Sequence, residues 1–416
     1  MTFSAFDLIA LLLVLTATFG WINHRFIRLP NTIGMLVMGL ASSLLLIAFE
    51  LSVPEISLYE DLTQLVGEFD FQNTVLNGML AFLLFAGALH VDLGLLRMRA
   101  TVVGTMATVG VLISTAIVGV GFWGVAKLVG VDISLPWAMV FGALISPTDP
   151  VAVLSTLKAV RVPKSLEIDM IGESLFNDGV GVVIFAVILS LAVGYHGGSV
   201  DWPGIAELFV VEALGGALLG LVAGYIAYRA MLAIDDYPIE VLISLALVTG
   251  AYALASKLHL SGPIAVVVGG LLIGNRGAAH AMSDETQRYL FGFWTLVDEI
   301  LNSVLFLLIG LEVLVLRYDP SFVWLALVSI PLVLLARLLA VSVPVLALSA
   351  RQDFVRGTIP VLVWGGLRGG ISVALALSIP EVAEKSVLLA ATYTVVVFTI
   401  VVQGLSLRRL VQRVAE

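Results

Sequence analysis

Residues 141–158 read FGALISPTDPVAVLSTLK, and after a short basic turn residues 171–185 read IGESLFNDGVGVVIF. Both stretches are apolar enough to cross a bilayer, yet between them they carry Asp149, Glu173 and Asp178. A carboxylate at bilayer depth costs on the order of 2.5–3.5 kcal/mol on insertion scales, so an intramembrane acid reads first as part of an ion or proton pathway. A helix-packing hydrogen bond is the plainer alternative.

The rest of the chain fits that setting. Of 416 residues, 60% are hydrophobic and 12% charged, where soluble domains are about a quarter charged. Mean hydropathy is +1.09. The chain is an all-α polytopic membrane protein by composition alone. Its net charge of −9 says little about partners, because charge sign in such proteins matters loop by loop. With no cysteine, disulfides, thiol catalysis and Cys-based metal sites are excluded. Nothing calls for a cofactor or for nucleic acid. The first apolar run, Leu8–Trp21, follows Asp7 rather than a basic region and lacks a small-residue cleavage site, so it reads as a retained span.

A helix needs about 20 apolar residues to cross the hydrocarbon core. Such runs number thirteen, at roughly 5–23, 31–49, 73–90, 101–128, 136–158, 167–195, 205–232, 239–257, 262–275, 292–316, 322–349, 356–379 and 385–407. The ninth is the shortest of the thirteen. Within Pro54–Asp70, Leu58, Leu62, Leu65 and Phe69 recur at helical spacing opposite Glu60, Asp61, Gln64 and Glu68. That pattern suits a helix lying on the membrane surface. No soluble domain is expected after Gln403.

The basic residues test the map. Alternate loops put fifteen on one side: Arg25, Arg28, Arg97, Arg99, Lys158, Arg161, Lys164, Arg229, Arg276, Arg288, Arg351, Arg356, Arg408, Arg409 and Arg413. The other side receives four, Lys127, Lys257, Arg317 and Lys385. The positive-inside rule then puts the C-terminus in the cytoplasm and, with an odd span count, the N-terminus outside an inner or plasma membrane.

Two spans look interrupted. The fifth holds Pro147 and Pro150 around Thr148-Asp149, and proline removes a backbone donor and clashes with the preceding turn. The twelfth holds GGLRGG at 365–370, four glycines weakening a helix around a charge. The two span numbers differ by seven, so these segments cross in opposite directions, as in inverted-topology repeats of secondary transporters. Spans one to six then repeat as eight to thirteen, joined by the seventh. Close helix packing through glycine is the plainer reading of the twelfth span.

In the sixth span Glu173 shares a helix face with Asn177, and Ser174 with Asp178. Such oxygen donors suit a hard monovalent cation such as Na⁺. Unwinding at Pro147–Pro150 would free main-chain carbonyls, notably at Thr148, for the same ion. Asp149 is placed to offset positive half-helix ends, and Arg368 the negative ones. Arg337, in LLARLLA of the eleventh span, needs a carboxylate unless it snorkels to an interface. Glu173 is the expected partner, with Arg368 a competing partner for that glutamate.

GALISPTDPVAV at 142–153, GESLFNDGVGVV at 172–183, SGPIAVVVGGLLIGN at 261–275, LLAR at 334–337 and GGLRGGISVALAL at 365–377 resemble the signature segments of the cation:proton antiporter family that contains NhaP-type Na⁺/H⁺ exchangers. The resemblance implies a homodimer with thirteen helices and elevator-like alternating access. It implies an ion-binding core of spans four to six and eleven to thirteen, about 101–195 and 322–407. The remaining spans, about 1–100 and 205–316, would form the dimerisation scaffold. It also implies that Asp178 binds ion or proton, helped by Asp149, Thr148 and Ser174, while Glu173, Asn177 and Arg337 hold the site together. One departure stands out: many such proteins carry a glutamate in the third span where this chain reads LLFAGAL, with Ala86 in its place. His90 and Asp92, just beyond, read as solvated loop residues.

Proton and cation are then expected to compete for Asp178. Because Asn177 precedes it, one titrating carboxylate is clearly free to exchange, which predicts one proton per Na⁺ or Li⁺ and no net charge moved. Exchange of K⁺ fits the same ligands. A cation channel is less well served, since no filter or ring of charge is evident. An embedded hydrolase is not favoured, since Ser174 lies in GESLF rather than a G-x-S-x-G elbow.

Overall fold

The computed structural model describes residues 5–52, 78–149, 163–194, 202–312 and 322–415. These residues are helical or irregular, with no strand among them. Among the described residues ten helical stretches are long and apolar enough to cross a membrane, the last of them Lys385–Arg413. The segment Pro54–Asp70, the second half of the fifth span from Pro150, and Arg317 lie outside the described residues.

The helices in chain order are α1 Ala5–Ile22, α2 Asn31–Ser52, α3 Leu80–Leu89, α4 Leu93–Val129, α5 Leu135–Leu144, α6 Lys164–Val193 and α7 Trp202–Met231. After these come α8 Tyr237–Lys257, α9 Gly262–His280, α10 Asp284–Glu312 and α11 Val323–Leu348. The chain closes with α12 Thr358–Trp364, α13 Gly370–Leu377, α14 Lys385–Phe398 and α15 Gly404–Ala415.

Local chemistry sets several of these limits. Asp92 caps α4 by accepting from Gly94 N at 2.7 Å and Leu95 N at 3.1 Å, satisfying amides the first turn leaves open. Asp92 is thus a helix cap and, as expected, solvent-exposed. α4 ends at Gly130, whose φ of 77° closes the helix in the left-handed region that favours glycine. α4 also starts eight residues earlier than hydropathy places the fourth span, since its first turns carry Arg97 and Arg99.

Two helices stop inside the fold. α5 runs only to Leu144 and gives way to an irregular Ser146–Asp149. α12 stops at Trp364, residues 365–369 are irregular, and α13 restarts at Gly370. The two breaks touch. The Asp149 amide donates to the Leu367 carbonyl at 2.8 Å, so each break satisfies part of the backbone the other leaves unpaired. In hydrocarbon such pairing is obligatory.

Around the breaks the packing is close. α4 and α5 cross at Gly119 and Gly142, where a side chain on Gly142 would collide with the Thr115 carbonyl. α2 and α10 cross at Gly39 and Gly310, and Ser43 donates to the Gly310 carbonyl at 3.0 Å. One buried apolar cluster includes Phe122, Phe141, Leu305, Phe306, Val373 and Val396, and so surrounds the crossing from α4, α5, α10, α13 and α14.

Candidate functional site

α6 delivers four of the expected residues to the crossing, because Glu173, Ser174, Asn177 and Asp178 occupy successive turns of an unbroken helix. All four are buried. The irregular segment after α5 meets them. Asn177 Oδ1 accepts from the Thr148 amide at 3.3 Å, and its Nδ2 donates to Thr148 Oγ1 at 2.8 Å. Thr148 Oγ1 also lies 3.1 Å from Ser174 Oγ. Asn177 thus stands in for the helical hydrogen bonds that Pro147 interrupts, and it clamps Thr148 beside Ser174.

The arginines divide the rest of the work. Arg337 of α11 places its guanidinium on Glu173 through both carboxylate oxygens, Nη2 to Oε2 at 2.8 Å. It also donates to the Leu362 carbonyl of α12, from Nη2 at 2.9 Å and from Nε at 3.2 Å. Side-chain exposure is 8% for Arg337 and 3% for Glu173, so neither charge has water to fall back on. Arg368 instead donates from Nη1 to the carbonyls of Ser146 and of Pro147, the latter at 2.9 Å. These carbonyls follow the C-terminal end of α5, where partial negative charge collects. Its own amide donates to Thr399 Oγ1 at 3.1 Å, in the wide π-helical segment Thr399–Gln403 through which α14 continues into α15.

Asp149 lies at the opposite pole. A side chain on Gly369 would collide with the Asp149 carboxylate, and one on Gly366 with the Arg337 guanidinium. At both positions an added side chain would displace the charged group that presses against the backbone there. Asp149 therefore sits at the N-terminal end of α13, where unpaired amides favour an anion.

Asp178 is different from its neighbours. Among the described residues, no donor and no cation is bonded to its carboxylate. It lines, with Asp149 and Thr148, a cavity of about 280 Å³ whose wall continues over Ala86, Leu175, Asn302 and Ser372 to His90, Glu167, Thr295 and Asp298. Ala86 puts a methyl group on that wall. Two carboxylates and a threonine meet here, and Ser174 is bonded to Thr148. No group of three acidic, histidine or cysteine side chains converges among the described residues. That donor set offers a small cation oxygen ligands.

Two features of the surroundings were not read from the sequence. Arg99, grouped with the loop cations, is buried: its Nε donates to Asp169 Oδ1 at 2.8 Å and its Nη1 to the Asp353 carbonyl at 3.0 Å. The signal was present, since Asp169, Glu173 and Asn177 follow at four-residue intervals on one face of α6. His90, read as solvated, is exposed but faces the cavity that holds Asp178.

Residues 12–413 match the family described as "Sodium/hydrogen exchanger, transmembrane". The chain is 46% identical over 413 residues to the Na(+)/H(+) antiporter NhaP of Pseudomonas aeruginosa, covering 98% of this chain and 96% of that one. It is 36% identical over 399 residues to the Na(+)/H(+) antiporter NhaH of Halobacillus dabanensis, covering 94% and 93%. In fold it resembles the sodium proton antiporter MjNhaP1 of Methanocaldococcus jannaschii at pH 8, with a TM-score of 0.75, 21% identity, and coverage of 99% of this chain and 98% of that one.

Proposed function

The chain belongs to the sodium/hydrogen exchanger family, and from that premise we propose that it exchanges Na⁺ or Li⁺ for H⁺, one for one, with ion and proton competing for Asp178. The observation that carries this reading is the state of that carboxylate: it is buried, without a bonded partner among the described residues, and on the wall of a cavity shared with Asp149 and Thr148. Asp149, Thr148 and Ser174 complete the ion's ligands. Asn177, Pro147, Glu173, Arg337 and Arg368 hold them in place.

Counting charge supports the stoichiometry. The crossing contains three carboxylates, Asp149, Glu173 and Asp178, against two guanidiniums, Arg337 and Arg368. Empty, it carries one net negative charge. One Na⁺ or one proton neutralises it, so either loaded form moves without carrying charge through hydrocarbon. The empty form keeps a net charge, which raises its barrier to crossing and couples the two fluxes.

The thirteen-span inverted repeat, with its fifth and twelfth spans broken at the crossing, is the frame for alternating access. Spans four to six and eleven to thirteen move as the core against the scaffold of a homodimer. A tie inside that core supports the division, since Arg337 joins Glu173 to Leu362. With the arginine-rich loops in the cytoplasm, the cavity of Asp178 opens inward and the C-terminus is cytoplasmic in the plasma membrane.

The test is proton flux in proteoliposomes with an acidified lumen, adding Na⁺, Li⁺ or K⁺ outside. Lumen alkalinisation by Na⁺ or Li⁺ that Asp178→Asn abolishes is the expected result. A response to K⁺ alone keeps the mechanism and changes the ion. No response from folded protein rejects exchange.

A further inference from the structure

α10 presents a stripe of oxygen-bearing side chains to the cavity that holds Asp178: Thr295, Asp298 and Asn302. Spacings of three and four residues put them on one face of the helix. Asn302 is the most buried of the three, 2% exposed. Its Nδ2 donates to the Asp298 carbonyl at 2.8 Å and to Asp298 Oδ1 at 3.0 Å. A carboxamide has two N–H protons and one oxygen. Both protons are spent one turn back on the same helix, and the two acceptors there fix which end of the amide is nitrogen. Oδ1 is left with no hydrogen-bond donor among the described residues. Ser303, next in the chain, shows the ordinary condition. Its hydroxyl donates to the Glu299 carbonyl at 2.7 Å and accepts from Asn31 Nδ2 at 2.7 Å. A buried acceptor without a donor is rare enough to call for an ion or a water molecule.

On the footing of Na⁺/H⁺ exchange at Asp178, we propose that Oδ1 of Asn302 is a ligand for the transported cation within this cavity, and that Asp298 is the positioning residue that aims it. The surroundings favour a cation over other guests. Asp149, Asp178, Asp298 and Glu167 line the same cavity, and neither lysine nor arginine is among the described residues of its wall. A side-chain carbonyl is the neutral oxygen that hard cations take alongside carboxylates. It replaces a water of hydration without adding charge, so the loaded form stays neutral. Asp298 holds both amide protons, which keeps the nitrogen turned away and the oxygen toward the ion. The ligand comes from α10, whereas Thr148, Asp149 and Asp178 come from the two segments that meet at the crossing, so the cation is held from both sides of the cavity.

The experiment is the apparent KM for Na⁺ and for Li⁺ in proteoliposomes, for wild type, Asn302→Ala, Asp298→Leu and Asp298→Asn. The unfolding temperature in detergent is read alongside, with and without Na⁺ at constant ionic strength. Losing one neutral ligand of a charged group is expected to raise the KM for Na⁺ about tenfold in Asn302→Ala, with kcat within about twofold. Li⁺ takes fewer ligands than Na⁺ and is expected to lose less, so the Na⁺-to-Li⁺ ratio of KM rises. A merely structural role moves both ions alike. Asp298→Leu frees the amide to turn and is expected to raise the same ratio. Asp298→Asn, whose side-chain oxygen still accepts from Asn302 Nδ2, loses the same charge and is expected to recover most of the ratio. An unchanged ratio in Asn302→Ala overturns the proposal, and Oδ1 then holds water only. Should Asn302→Ala fail to fold, equal ratios in the two Asp298 variants overturn it. Wild type that exchanges no cation overturns the transport reading instead. The proposal is then read from Na⁺ binding alone: stabilisation by Na⁺ that is equal in wild type and Asn302→Ala, or absent from both, overturns it.

Discussion

Glu173 and Arg337 neutralise each other in a place where neither is tolerated alone. Removing one partner of a buried ion pair costs about 3–5 kcal/mol, whereas replacing both by apolar groups of similar volume is often neutral. Arg337→Ala is therefore expected to lower stability by about that amount in detergent unfolding, and Glu173→Leu with Arg337→Leu to recover most of the loss. A single variant as stable as wild type would place the pair's role elsewhere. Asp178 obeys the opposite rule. It has no bonded partner among the described residues to lose, so Asp178→Asn is expected to unfold at or above the wild-type temperature while its Na⁺-driven proton flux disappears. The two sets of variants separate a residue that holds the site from one that serves the ion.

The broken helices carry the next level of meaning. Their ends aim partial charges at the crossing, and Arg368 on the Ser146 and Pro147 carbonyls and Asp149 at the start of α13 answer them with full charges of opposite sign. Such an arrangement requires bare backbone where the charged groups press in. Gly369→Ala sets a methyl group against the Asp149 carboxylate and is expected to raise the KM for Na⁺ about tenfold, the worth of about 1.4 kcal/mol. Gly104→Ala, with nothing within 4 Å of the added carbon, is the control and should leave KM in place. Equal effects from the two would mean that the glycines matter for helix stability rather than for seating Asp149.

For the whole molecule the governing quantity is net charge across the bilayer. A step that moves one elementary charge feels about 2.3 kcal/mol per 100 mV, about fiftyfold in rate, whereas a neutral step feels none. On the proposed one-for-one exchange, in which both loaded forms are neutral, a potassium-diffusion potential of about 100 mV imposed on the proteoliposomes should change the rate of Na⁺/H⁺ exchange less than about twofold. A potential that by itself drives Na⁺ against its gradient would show that a second charge travels.

Composition and hydropathy determined that the chain spans a membrane, and the carboxylates in otherwise apolar runs marked residues that the structure brings together around the two breaks. Those inferences hold because hydrocarbon penalises charge and unpaired backbone whatever the fold. Helical spacing was enough to group Glu173 with Asn177 and Ser174 with Asp178, since neighbours on one helix are set by its period. Tertiary structure decided what crosses between helices. It placed Arg337 on Glu173, left Arg368 to the carbonyls after α5, and joined Asp149 to Leu367 across the two breaks. It also buried Arg99, and it turned His90 from a loop residue into part of the cavity wall. Partners that come from helices far apart in the chain have no spacing in sequence to betray them, because only the packing of those helices brings their side chains within reach.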